Sequence, residues 1–81
     1  MQSEREHPTK LNDVQFSRCW KVAEEFVAKN GAIRNMQLRE IAGIGYDQAI
    51  GFFNRAVIEK RLIRQGSGSG THYILNGTGS R

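Results

Sequence analysis

The sequence predicts an α+β domain in which helices come first and a β-hairpin last, and three observations carry that prediction. Apolar residues recur at three- and four-residue spacing from Phe16 to Val57. Two glycine-centred breaks, Asn30-Gly31 and Gly43-Ile44-Gly45, cut this stretch into three helical segments. Two short runs that favour the extended conformation, Leu62-Ile63-Arg64 and Tyr73-Ile74-Leu75, then flank Gln65-Gly66-Ser67-Gly68-Ser69-Gly70 and read as a two-stranded hairpin.

The first helix has a marked start. Asn12 can cap it, with Gln15 at the third helical position as reciprocal partner, and Leu11 and Phe16 stand where a hydrophobic staple would pack. Phe16, Cys19, Trp20, Ala23, Phe26 and Val27 share one face, and Asn30-Gly31 closes a helix over 13–29. Residues 32–34 are too short for more than a bridge or a three-residue strand. Asn35 is the expected cap of a two-turn helix over 36–42, with Leu38, Ile41 and Ala42 inward and Gly43 at its end. A third helix is expected over 46–61, with Ala49, Ile50, Phe53, Ala56 and Val57 on one face and Phe52 on its border. Asp47, Gln48, Gly51, Asn54 and Arg55 fall opposite, and Ile58 sits on that polar side near the helix end. Trp20, Phe26, Ile41, Phe53 and Leu62 are expected to form one core. The domain is placed at 11–75, between polar tails at 1–10 and 76–81 that are expected to be flexible.

Composition narrows the function classes. A chain of 81 residues supports one domain and no large buried active site. The single cysteine excludes an internal disulfide framework, and no apolar run approaches membrane-span length or has the pattern of a signal peptide, so a cytoplasmic protein without membrane association is expected. Cys19 on the apolar face of the first helix reads as a core thiol. His7 and His72 lack partners at metal-ligand spacing, and no nucleophile, base and orienting group can be assembled, so neither a metal, a cofactor nor an enzymatic activity is expected. The formal charge is +4, and it is uneven: residues 27–81 carry eight basic and three acidic side chains, and no acidic residue follows Glu59. That asymmetry suggests a polyanionic partner, nucleic acid before membrane.

The order helix, bridge, short helix, tight turn, helix, hairpin, together with Leu38-Arg39-Glu40-Ile41-Ala42-Gly43-Ile44 through Leu62-Ile63-Arg64, resembles a winged helix-turn-helix domain over 14–75. Ile44-Gly45-Tyr46-Asp47-Gln48-Ala49 is similar to the third-helix entrance of the DNA-reading gamma domain of FtsK/SpoIIIE-type translocases, with Asp47-Gln48 in place of an Asn-Arg type of pair. The stretch 62–75 is similar to RecG-like C-terminal winged domains. The resemblance implies a double-stranded DNA-binding module, a transcriptional regulator or DNA-targeting domain, with its third helix in the major groove and its wing on the backbone.

Residue chemistry supplies candidates for those roles. Gln48 and Asn54 can bond adenine and Arg55 can bond guanine, while Gly51 would let the helix approach closely; an ordinary solvated face is the alternative. Tyr46 either bonds a phosphate or caps the core. The glycine-serine stretch lacks the Lys and the following helix that a phosphate-binding nucleotide loop needs. As a hairpin tip, Gly66, Ser67, Gly68, Ser69 and Thr71, with Arg64 and His72 on the strands, would meet phosphates; a flexible loop that touches nothing is the alternative. A winged domain used as a protein adaptor, through another protein or as a homodimer, competes with DNA binding, as does the terminal DNA-binding domain of a larger DNA-processing protein.

Overall fold

The computed structural model describes residues 11–77. Three helices, α1 (Asp13–Asn30), α2 (Asn35–Ala42) and α3 (Tyr46–Ile58), precede an antiparallel hairpin of β1 (Leu62–Gln65) and β2 (His72–Leu75). The class is the expected α+β. Both expected tails lie largely outside the described residues, which end at Gly77. Asn76, assigned to the second tail, instead continues the ordered domain: its side-chain amide donates to the Lys60 carbonyl at 2.9 Å and its backbone amide to the Arg61 carbonyl at 3.1 Å. No helix among the described residues is long and apolar enough to cross a membrane.

Each helix begins with the same device, a glutamine at the third helical position whose side-chain oxygen accepts from the backbone amide of the capping residue. Gln15 takes the Asn12 amide at 3.0 Å, Gln37 that of Arg34 at 2.8 Å and Gln48 that of Gly45 at 3.1 Å. Only at α1 is the box reciprocal, with the Gln15 amide donating to Asn12 Oδ1 at 2.8 Å. This corrects the expected cap of the second helix: Asn35 is its first helical residue and Arg34 its cap, because Gln37 supplies the acceptor from inside the helix.

The third helix stops at Ile58, three residues before the expected end at 61. Lys60 takes a left-handed conformation (φ 64°), its amide donates to Val57 at 2.9 Å, and the Arg61 amide reaches back to Ala56 at 2.8 Å. This is the Schellman arrangement with lysine where glycine usually stands. The sequence lacks the glycine that would have marked the end, and the left-handed lysine costs about 1–2 kcal/mol. Ile58 is consequently on the last turn and 77% exposed.

The core joins Phe16, Cys19, Ala23 and Val27 of α1, Leu38 of α2, Ala49, Phe52, Phe53 and Ala56 of α3, and Ile33 and Leu62. Of the five expected core residues, Phe53 and Leu62 are buried, Trp20 and Phe26 pack at the margin, and Ile41 is 41% exposed. The buried stripe of α3 is also rotated from the expected one: Phe52 is fully buried, whereas Ile50 is 37% exposed. The reason is that α3 is covered from two sides. Phe16 and Trp20 of α1 meet the Phe52 ring at centroid distances of 5.0 and 6.5 Å, while Tyr73 of β2 stacks on Phe53 at 4.0 Å and 3°.

The hairpin pairs Leu62 with Leu75, Ile63 with Ile74, Arg64 with Tyr73 and Gln65 with His72. Ile33 adds a bridge, exchanging both backbone hydrogen bonds with Tyr73 at 2.9 Å, so the 32–34 stretch is a one-residue contribution to the sheet.

Phe53→Ala, which removes the ring between Phe52 and Tyr73, is expected to cost about 3–5 kcal/mol in urea unfolding, whereas Ile41→Ala should cost less than about 1 kcal/mol. Comparable midpoints for wild type and Phe53→Ala would reject this packing.

Candidate functional site

A hollow of about 660 Å³ lies where the start of α2, one flank of α3 and the hairpin face one another. From α2 and its cap come Arg34, Asn35, Met36 and Arg39; from α3 come Tyr46, Ile50 and Asn54; from the hairpin come Arg64, Gly68, Ser69, Thr71 and Tyr73. The α3 contributors are spaced by four residues and therefore stand above one another along a single flank.

The electrostatics of this groove are one-sided. Arg34, Arg39 and Arg64 line it, no carboxylate does, and none of the three makes an ion pair among the described residues. The Arg39 guanidinium lies over the Tyr46 ring, 5.3 Å from its centroid. Arg39 Nε and Asn35 Oδ1, one turn apart on α2, are buried without a hydrogen-bond partner among the described residues. The Asn54 side chain is exposed on the α3 flank of the groove, and its amide has no partner among the described residues.

The hairpin tip is a folded turn. Gly68–Gly70 form one turn of 3₁₀ helix, with the Gly70 amide donating to Ser67 at 2.9 Å and the Thr71 amide to Gly68 at 3.2 Å. His72 Nδ1 donates to the Gly70 carbonyl at 2.8 Å, which selects the ring tautomer protonated at Nδ1. Gly66 makes this possible: it has φ 78°, and a Cβ there would stand 2.5 Å from the Gly70 carbonyl oxygen.

Six of the residues proposed from sequence meet in the groove: Tyr46, Asn54, Arg64, Gly68, Ser69 and Thr71. Gly66 and Ser67 are exposed on the same tip without lining it. Gly51, partly buried on α3, lies beside Ile50 and likewise does not line the hollow. Gln48 and Arg55 are placed elsewhere. The Gln48 side chain is engaged in capping α3 and borders a smaller hollow of about 300 Å³ beside Leu11, Cys19, Val22, Ile41 and Ile44. Arg55 turns toward α1, 4.1 Å from the Phe16 ring centroid, and pairs with Asp13 at 3.1 Å and Glu59 at 2.8 Å. His72 borders a different depression, with Phe26, Ala32 and Arg34.

Sequence reading missed Arg34, Arg39, Met36 and Ile50. The arginines were visible in the charge count, but a count along the chain does not say which cations share a face. Arg61, which follows α3, illustrates this: it pairs with Glu59 at 2.9 Å and lies over Phe16 and Trp20, on the α1 side of the molecule. Hydrogen bonds from Arg55 and Arg61 hold the Glu59 carboxyl below its ordinary value of 4.5. Burial pushes the Cys19 thiol up, against a smaller opposing effect of Arg18, which keeps it in the unreactive thiol form. Among the described residues, no group of three or more His, Cys, Asp or Glu could hold a metal ion.

No protein-family model, curated protein or solved structure matches this chain.

Gly66→Ala is expected to lower stability by about 1–3 kcal/mol, because it forces a side chain into a left-handed position against a backbone carbonyl; amide exchange in the 66–72 segment should quicken most. Glu59 supplies a pH test. Its folded value is depressed, so its contribution is complete above 4.5 and is lost as pH falls through the lower folded value. The stability difference between wild type and Glu59→Gln should therefore shrink in urea titrations below pH 4.5 and stay level above it.

Proposed function

We propose that this chain is a double-stranded DNA-binding module of the winged helix-turn-helix kind, with α3 as the helix that enters the major groove and the β1–β2 hairpin as the wing against the backbone. It serves as a DNA-targeting domain or transcriptional regulator and not as an enzyme. One observation carries the reading: three arginines, two from α2 and its cap and one from the hairpin, line the groove between α2, α3 and the hairpin, with no carboxylate among the lining residues. A duplex carries one phosphate per about 3.4 Å on each strand, and guanidinium groups pair with phosphate through parallel N–H bonds. The tip supports the same reading, since Gly68, Ser69 and Thr71 bring short side chains and backbone to the groove rim.

The division of labour differs from that expected from the sequence. Asn54 remains a base-reading residue, and Arg64 remains a phosphate contact, now joined by Arg34 and Arg39. Arg55 becomes a structural residue, held between Asp13, Glu59 and the Phe16 ring.

A protein adaptor is the second reading. It is favoured by the hollow between α1 and the α2–α3 turn, where Leu11, Val22, Ile41 and Ile44 offer apolar surface.

Titrating labelled duplex at two salt concentrations distinguishes the two. With three phosphates neutralised, log K should fall with log salt at a slope of about −2.7. Arg64→Ala should weaken binding to all duplexes alike and reduce the slope by about one unit, whereas Arg55→Ala should leave the slope unchanged. A folded chain that retains no duplex at low salt would overturn the DNA reading in favour of the adaptor.

A further inference from the structure

We infer that the Ile50–Asn54 flank of α3 reads a thymine methyl and a nearby adenine, so that the duplexes this chain prefers carry A·T pairs beneath α3. The inference rests on the duplex-binding reading above and specifies what the same groove selects.

The side chains available on that flank are few. Asn54 is exposed, and its amide, with one acceptor oxygen and a donor NH₂, has no partner among the described residues. Adenine presents the complementary pair in the major groove, an N7 acceptor beside an N6 donor, whereas guanine presents two acceptors and calls for a group with two donors. The arginine of α3 that could provide those donors, Arg55, is held by Asp13 and Glu59 on the α1 side. Arg34, Arg39 and Arg64 stand on the α2 end and the hairpin, beside the flank and not on it.

Ile50 lies one turn before Asn54 and is 37% exposed, the apolar branched side chain of this flank; the other exposed aliphatic side chain of the groove, Met36, stands on α2 and not on the helix assigned to the major groove. The one apolar group on a base edge in the major groove is the thymine C5-methyl. Four residues of helix advance about 6 Å, close to two base-pair steps of about 3.4 Å, so the thymine and the adenine are expected within two steps of each other. Tyr46, 57% exposed and beneath the Arg39 guanidinium, continues the flank toward the backbone-contacting end of α2.

The test begins with selection of duplexes from a randomised pool by the full chain at low salt. Selected duplexes are then remade with deoxyuridine for thymine, which deletes the methyl, or with 7-deazaadenine for adenine, which deletes N7. Deoxyuridine should weaken wild-type binding about fourfold, the worth of one buried methyl group. It should cost Ile50→Ala almost nothing. Asn54→Ala should lose about 5- to 150-fold on the selected duplex and become indifferent to 7-deazaadenine. Thermal unfolding of both variants checks that these exposed positions leave the fold intact. Selected duplexes without a shared A·T pair, or equal deoxyuridine losses in wild type and Ile50→Ala, would overturn this inference and leave the duplex reading standing. If the folded chain retains no duplex at low salt, the groove reading fails and takes this inference with it.

Discussion

Tyr73 is the point at which the two halves of this molecule are joined. A hairpin of two four-residue strands is not stable by itself in water, because it buries too little apolar surface. Here β2 is held to the helices twice over through one residue: its backbone exchanges two hydrogen bonds with Ile33, and its ring stacks on Phe53. Ile33 is fully buried and sits just before α2, so the bridge also fixes where α2 starts. The groove exists because of this joint, since its walls are α2 and α3 on one side and the hairpin on the other. The Asn76 contacts to Lys60 and Arg61 close the far end of the hairpin against the left-handed turn that ends α3.

A second constraint sorts the charges. Glu59 stands just past the end of α3 and collects Arg55 and Arg61, whose guanidinium groups lie over the Phe16 ring on the α1 side. That cluster is self-neutralising in part, and it takes two cations out of contact with the groove. Arg34, Arg39 and Arg64 have no such partner among the described residues and line the groove together. A modest net charge of +4 thus becomes a localised positive face.

The elements themselves were largely legible in the sequence, and the reasons are local. The Asn12–Gln15 box, the helical spacing from Phe16 to Val27 and the strand chemistry on both sides of the glycine-serine stretch depend on neighbours within a few residues. Where the reading failed, a long-range partner or an atypical residue had intervened. Periodicity carries α3 on to 61, whereas the helix ends at Ile58 because Lys60 does the work of a glycine. Spacing places Ile50 on the inward face and Phe52 on its border, whereas Phe52 is fully buried and Ile50 is exposed, because helical periodicity gives a face about as wide as a third of the helix and only the positions of α1 and the hairpin choose its centre. Spacing places Ile41 in the core, yet the packing of α2 leaves it 41% exposed.

The candidate site divides along the same line. Residue type and local period suffice for the element order, the hairpin with its glycine-dependent tip, and several groove residues, among them Asn54, Arg64 and Thr71. It takes the packing of the elements to bring Arg34 and Arg39 beside Arg64 on one face, to engage Gln48 as a cap and to make Arg55 a tie to α1. The physical reason is that a side chain's partners are set by which elements are brought beside it. An arginine on an outward helix position is available to a ligand until a carboxylate and an aromatic ring from elsewhere in the chain, here Asp13 and Phe16, arrive within reach.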